Sequence, residues 1–331
     1  MMRRLLSYIG IGLIGIAAIF FSLPSVVVWE QASPRESVAT VAQPFPVTVD
    51  PKNEVITESP EVNAQLASGP AFLMAASGVV GDLLASIATA ISSTPWYESL
   101  AAVVPVTSER VVTIDPGYRR EQVVRSFGDA LGWSDKERQT FLASSTELSE
   151  GKFLPGAYVV APHTTPTQAQ ALLTERLQER ILAHYPASVA AVVPLDEALT
   201  IASMIERETS DRADMRIISG IIWNRLFSNM KLQIDATVQY AKVEVKGGSN
   251  GWWPAVHPRD LSLKSPYNTY VNAGLPPGPI ASPSVAAVLA ALNPKQTTCL
   301  FYFHDTTKTL HCSDTYEQHV ALLKHYFGQG K

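Results

Sequence analysis

From Leu5 to Trp29 the chain runs without a charged residue, behind Arg3 and Arg4. A bilayer-spanning helix needs roughly 20 apolar residues, so the run is long enough even if Pro24 ends it early. The two arginines favour a cytoplasmic N-terminus with the body outside, and Trp29 falls where an interfacial aromatic belongs. A cleaved signal peptide is the competing reading. Such a peptide would have a shorter apolar core followed closely by a small-x-small cleavage site. Here Val26-Val27-Val28-Trp29 follows, which fits a retained anchor better. Residues 30–108 then form a tether, punctuated by Pro34, Pro44, Pro46, Pro51 and Pro60. Within it Leu73, Ala76, Val80, Leu83, Leu84, Ile87 and Ile91 recur at helical spacing. That stripe suits an amphipathic helix, on a membrane or against the body. A second span would bury Asp82 at a cost of roughly 2.5–3.5 kcal/mol.

Folded structure is predicted from Glu109. Arg110–Ile114 has the pattern of a strand, Asp115-Pro116-Gly117 that of a turn, Glu121–Leu131 and Trp133–Ala143 those of helices. Tyr158–Val160 is a short strand, and Thr165–Ala183 a helix capped by Thr165 or Thr167. Residues 109–190 thus make a small α/β module, and 191–331 a second domain. In the latter a helix starts at Pro194, with Asp196 as its cap, and another spans Asp214–Phe227. Long ordered loops follow from Gly247. Phe301–Phe303 and Leu310–Cys312 flank a turn at Asp305–Lys308, and a last helix begins near Thr315. No internal repeat is visible.

The formal net charge of −4 and the lack of any Lys/Arg-rich run argue against nucleic acid as a partner. No phosphate-binding glycine motif occurs. The two cysteines, Cys299 and Cys312, have no zinc-site spacing. With the turn at Asp305–Lys308, Cys312 faces Phe301 and Cys299 is a diagonal neighbour. Diagonal partners sit roughly 7–8 Å apart at Cα, too far for an unstrained disulfide unless twist or a bulge closes the gap.

Candidate chemistry centres on Glu206-Arg207-Glu208-Thr209. Glu208 follows Ile201, Met204 and Ile205 by seven, four and three residues and continues their apolar face. Glu206 points about 160° away. A carboxyl on an apolar face is partly desolvated, which raises its pKa toward that of a general acid. Taken alone, the pattern is better explained by two solvated glutamates in a last helical turn. Asn224, Gln233, Tyr267, Asn268 and Tyr270 are polar or aromatic residues suited to sugar hydroxyls, N-acetyl groups and ring faces, though taken singly each is better explained by turns and packing.

Read in order, IASMIERET, IIWNRL, MKLQIDATVQY, RDLSLKSPYNTYVNAGLPPGPIASPS and AALNP resemble the YceG-like (MltG) family of endolytic murein transglycosylases. The stretches VVTIDPGYRREQVV and FLPGAYVVAPHTTPTQAQALL resemble that family's LysM-like module. The resemblance implies an α+β protein: an N-terminal transmembrane helix (1–29), a LysM-like α/β module (109–190) and a lysozyme-like catalytic domain with a C-terminal hairpin (191–331). It makes Glu208 catalytic and adds Asn224, Gln233, Tyr267, Asn268 and Tyr270 as substrate-binding residues. It also implies peptidoglycan glycan strands as substrate, no metal or organic cofactor, a bacterial inner-membrane location, and peptidoglycan synthases as candidate partners. Two departures stand out: Ile234 and Ala236 replace Thr and Pro of the family pattern, and His311 precedes His319 by eight residues rather than nine. No role is carried onto His311. The implied reaction leaves a 1,6-anhydroMurNAc end. A hydrolytic muramidase, a non-catalytic glycan-binding protein and a scaffold acting through the tether are the rivals.

Overall fold

The computed structural model describes residues 42–67, 109–143, 148–246 and 251–328. The anchor read at 1–29 and the helical stripe at 73–91 lie outside these residues. Among the described residues no helix is long and apolar enough to cross a membrane.

The fold mixes helices with three two-stranded antiparallel sheets. A small hairpin, β1 (Val49–Asp50) with β2 (Val55–Ile56), leads into helix α1 (Pro60–Ala67). The next unit runs β3 (Arg110–Ile114), α2 (Arg120–Leu131), α3 (Asp135–Ala143), β4 (Gly156–Val160) and α4 (Pro166–Arg180). β3 and β4 pair from Arg110↔Val160 to Ile114↔Gly156. Their inward residues Val112, Ile114, Tyr158 and Val160 are buried with Phe127, Trp133 and Phe141. Thr165 caps α4 in a capping box with Gln168. A short 3-10 turn and helix α5 (Ala187–Ala190) lead on to the second part.

That part is helical: α6 (Leu195–Glu208), α7 (Arg212–Phe227), α8 (Asp235–Lys246) and α9 (Val285–Leu292). It ends in the hairpin β5 (Phe301–His304) and β6 (Leu310–Ser313), followed by α10 (Tyr316–Phe327). Helix α9, VAAVLAAL, packs against both α6 and α7. Its small side chains allow close approach, and the Trp223 indole donates to the Ala291 carbonyl at 2.9 Å. α6 begins at Leu195 after Pro194, so Asp196 lies inside the first turn and does not cap it. α7 starts earlier than the pattern indicates, because the Asp211 carboxylate accepts from the amides of Ala213 and Asp214.

Three expectations are corrected by this arrangement. First, residues 42–67 are not free tether. Phe45, Val49 and Ile56 are buried, and Phe45 stacks on His184. Thr48 N donates to Leu292 O at 3.0 Å, Arg216 Nη2 donates to Asn63 Oδ1, and Lys295 pairs with Glu58 at 2.8 Å. Pro44 and Pro46 lie in an extended strap that reaches the end of α9 at Leu292. Second, the two folded units share one core. A single apolar cluster runs from Phe45 through the β3–β4 unit to Leu292. The Ser282 amide donates to Tyr118 O at 2.7 Å and the Gly117 amide donates to Ser282 O at 2.9 Å. Gly151, at φ +85°, lets the chain pass so close to Pro279 that a Cβ there would sit 2.4 Å from the proline ring. Third, the C-terminal hairpin has a different register: His304 pairs with Leu310 and Tyr302 with Cys312. Asp305 caps a five-residue loop, accepting from the amides of Thr307 and Thr309, with Lys308 at φ +66°. One extra loop residue moves every β6 side chain to the other face, so Cys312 faces Tyr302 and not Phe301. Leu300 N also donates to the carbonyl of Ser313, Phe301's partner, so two residues of one strand meet one of the other. That brings the Cα atoms of Cys299 and Cys312 to 5.8 Å, and the two form a disulfide.

Candidate active site

Helix α6 buries Ala198 through Ile205, and Glu208 is its last residue. The apolar stripe carries the Glu208 side chain inward, while the helix end leaves it a half-buried path to the surface. The carboxyl is pushed up to about 7. Burial is the main cause, and the negative charge of Asp235 adds to it. The Tyr302 hydroxyl, donating to the carboxyl, and the Arg207 charge pull the other way. Its place at a helix C-terminus, where the helix dipole opposes an anion, acts in the same sense as burial.

Burial also raises Glu206, so desolvation does not separate the two glutamates. Geometry does. Glu206 Oε2 accepts from the Ser284 amide at 2.8 Å, and Ser284 is the N-cap of α9. Glu206 therefore fixes the start of the central helix. Between them Arg207 lays its guanidinium over the Trp253 ring at 4.0 Å and packs against Gly117.

Opposite Glu208 lie three elements. Strand β5 brings Tyr302. Helix α8 opens with Asp235, whose Oδ1 accepts from the Tyr270 hydroxyl at 2.7 Å. Helix α7 contributes Arg225, which is buried and without a carboxylate partner among the ion pairs seen. Its guanidinium donates instead to the carbonyls of Leu300, Lys231 and Leu232 and to Gln233 Oε1. The positive charge of Arg225 faces both Tyr302 and Tyr270.

The five residues expected to bind substrate divide. Tyr270 and Gln233 join the rim around Glu208, directly or through Arg225. Gln233 is held at φ +54° with its amide donating to Thr269 O, and backbone of that kind persists only where the surroundings enforce it. Asn224 donates to the carbonyls of Thr297 and Cys299 at 2.7 and 3.1 Å, and so ties the lead-in of β5 to α7. Asn268 is fully buried, donates to Leu261 O and Leu263 O, and accepts from the Tyr270 amide. It shapes the loop that presents Tyr270. Tyr267 belongs to a different cluster. Its ring packs at a tilt against that of Tyr240, 4.7 Å between centres, and it sits among Glu150, Glu244 and Arg120.

Tyr302, Asp235 and Arg225 are the site members that the pattern did not single out. In the sequence Arg225 is a charge inside an apolar helix and Asp235 lies within MKLQIDATVQY. Tyr302 had no such mark, because Phe301-Tyr302-Phe303 is aromatic on both sides of the strand and alternation could not say which side faces the site. Where the family pattern has proline, Ala236 is buried in the first turn of α8. The loop before it is fixed by Ile234 N donating to Thr269 Oγ1 at 3.0 Å and by Thr237 bonding both Ile234 O and Thr269.

The YceG-like family model matches residues 86–325 of this chain. A Bacillus subtilis protein named endolytic murein transglycosylase is 28% identical over 247 residues, covering 74% of this chain and 63% of that protein. One of the same name from Streptococcus pneumoniae is 30% identical over 159 residues, 48% of this chain and 28% of that protein. The chain thus spans less than two thirds of the length of these relatives. The crystal structure of a YceG-like protein from Listeria monocytogenes superposes with a TM-score of 0.53 at 27% identity, covering 64% of this chain and 75% of that one. With the family model matching well over half of its length, the chain belongs to the YceG-like family.

Proposed function

We propose that the protein is a lytic transglycosylase that cuts peptidoglycan glycan strands, with Glu208 as acid and then base. The observation that carries this reading is a desolvated carboxylic acid, held up to about 7 at the end of a buried helix. Such a group can give and take back a proton near neutral pH. The names of the Bacillus and Streptococcus relatives support the substrate class.

In the proposed reaction Glu208 donates its proton to the glycosidic oxygen between MurNAc and GlcNAc. The bond from C1 of MurNAc to that oxygen breaks, and GlcNAc leaves with a free hydroxyl. The C6 hydroxyl of the same MurNAc bonds to C1, and its proton passes to the Glu208 carboxylate. The acid is regenerated, no water is consumed, and the product ends in 1,6-anhydroMurNAc. An internal nucleophile gains the high effective molarity of an intramolecular step. Glu208, Tyr270, Gln233 and Tyr302 form the sugar-facing rim in this reading, while Asn224 and Asn268 hold its backbone.

Residues 1–29 are read as a single-pass anchor with the N-terminus in the cytoplasm, which Arg3 and Arg4 support. That places the catalytic part on the outer face of the bacterial cytoplasmic membrane, within reach of nascent strands and their synthases. The strand–helix–helix–strand order of β3, α2, α3 and β4 supports the LysM-like assignment of 109–190.

Digestion of purified sacculi followed by mass analysis tests the proposal. The wild-type protein should release anhydro ends, and Glu208→Gln none while still folded. Glu206→Gln should lose stability but keep activity. Reducing ends would mean a hydrolytic muramidase, and binding without cleavage a glycan-binding scaffold.

A further inference from the structure

Two carboxyl groups face the same rim. Glu208 is desolvated at the C-terminus of α6, where the helix dipole opposes ionisation. Asp235 is exposed at the N-terminus of α8, where the dipole favours a negative charge. An aspartate in a first helical turn often does no more than stabilise its helix. Here the carboxylate is engaged by a distant residue, the Tyr270 hydroxyl at 2.7 Å. The loop carrying Tyr270 is fixed by Asn268, whose Oδ1 accepts from the Tyr270 amide at 2.9 Å, and by Thr269, which bonds Ile234 and Thr237. The Asp235 charge also reaches Glu208.

Glycoside cleavage passes through an oxocarbenium-like state with positive charge at the anomeric carbon. A single acid that has just given up its proton is shared between that charge and the incoming hydroxyl. Sites of this chemistry separate the roles by giving two carboxyls different environments, one apolar and one wet. The pair at this rim is arranged in that way.

We propose that Asp235, oriented by Tyr270, is the second carboxylate of the site and stabilises the positive charge that develops at the anomeric carbon; the inference rests on the transglycosylase reading. Asp235 forms no bond to the sugar and moves no proton.

Asp235→Asn tests it, because asparagine still accepts from Tyr270 but carries no charge. On soluble uncrosslinked glycan strands, kcat should fall about 100-fold or more, the scale seen when one preorganised electrostatic stabiliser is removed. KM should stay within about 3-fold and the anhydro product should be unchanged. A second readout separates charge from mere structure. The groups facing Glu208 are Tyr302 from β5, Arg207 from α6, Tyr270 from the loop and Asp235 from α8. Removing only the Asp235 charge lets Glu208 release its proton sooner, so the alkaline limb of kcat/KM should move to lower pH. Tyr270→Phe keeps the charge but frees it. It should lose kcat by a smaller factor and leave that limb nearly in place. Asp235→Asn with kcat within about 3-fold of wild type, or with an unmoved limb, overturns the proposal. If Asp235→Asn does not fold, a Tyr270→Phe protein with wild-type kcat overturns it. An active Glu208→Gln protein would sink the transglycosylase reading itself. An inactive Glu208→Gln beside a fully active Asp235→Asn sinks only the role of Asp235.

Discussion

Glu150 lies where the β3–β4 unit meets the helical part, and replacing it by glutamine should stabilise the protein in a pH-dependent way. Its side chain is 8% exposed, and its carboxyl oxygens accept from the Arg120 amide at 3.1 and 3.3 Å. Burial and the neighbouring charge of Glu121 push its pKa from 4.5 up to about 8, against the pull of Arg119 and Arg120. Below pH 4.5 the group is protonated both folded and unfolded, so it contributes no pH dependence. Between 4.5 and about 8 the unfolded chain releases the proton and the folded one keeps it, so stability falls as pH rises. Above about 8 the loss is complete. At 1.36 kcal/mol per pH unit the window is worth roughly 5 kcal/mol if the site stays rigid, and about half that if it relaxes and admits water. Glu150→Gln removes the titration. Its Tm should match wild type near pH 4.5, pull ahead between 5 and 8, and hold a constant lead above that. For a folded body of this size 1 kcal/mol is about 2–4 °C, so a plateau of about 5–10 °C is expected for the relaxed site and about 10–20 °C for the rigid one. Thermal melts from pH 4.5 to 9 decide it. If the lead does not change with pH, or if glutamine falls further behind as pH rises, the carboxyl is ionised in the fold and Arg119 and Arg120 dominate burial.

Tyr302→Phe should move the alkaline limb of kcat/KM to higher pH, opposite to Asp235→Asn, because the lost hydroxyl had favoured the ionised form of Glu208; a pH–rate profile on soluble glycan strands shows the direction, and an unmoved limb removes Tyr302 from the site. Paired Cys299→Ser and Cys312→Ser changes, opening a closure of 13 residues in sequence, should cost roughly 3 kcal/mol by chain entropy; a urea midpoint equal to that of the oxidised protein would show that the hairpin is held without the bond. Asn224→Ala should cost about 1–3 kcal/mol by leaving the Thr297 and Cys299 carbonyls without their donor, with KM little changed; intact stability with a raised KM would return Asn224 to sugar binding.

Helical phase alone distinguished Glu208 from Glu206, and the structure gives them separate partners, because a periodic apolar stripe fixes direction before any tertiary contact is known. Where periodicity was missing, less could be read. α9 is apolar all round and offers no phase, so the helix that organises the second part passed unread. The same ambiguity hid Phe45, Val49 and Ile56, three core residues scattered through a proline-marked stretch. Amide and aromatic side chains invited a sugar-binding reading, yet their chemistry suits backbone carbonyls equally well. Asn224 and Asn268 are used that way, and Tyr267 and Tyr270, three residues apart in a turn, face different clusters. No helical or strand rule governs such a turn, so only the folded loop could separate them. The hairpin is legible from its flanking strands, but its register depends on one residue of loop length, and with it which β6 residue stands opposite Tyr302.

Arg225 links these pieces. A buried guanidinium is costly unless its donors are used, and this one is satisfied by oxygens from two segments: Leu300 before β5, and Lys231, Leu232 and the Gln233 side chain after α7. Each is a segment that sequence pattern left loosely placed. Because no carboxylate among the described residues pairs with it, the charge remains available to the two tyrosines it faces, and a nearby cation strengthens a hydroxyl as a donor. The Tyr302 hydroxyl donates a hydrogen bond to the Glu208 carboxyl and the Tyr270 hydroxyl donates one to Asp235. The buried acid and the exposed anion are therefore held by two hydroxyls that answer to one arginine. The charge that interrupts α7 thus stands behind both hydroxyls of the rim.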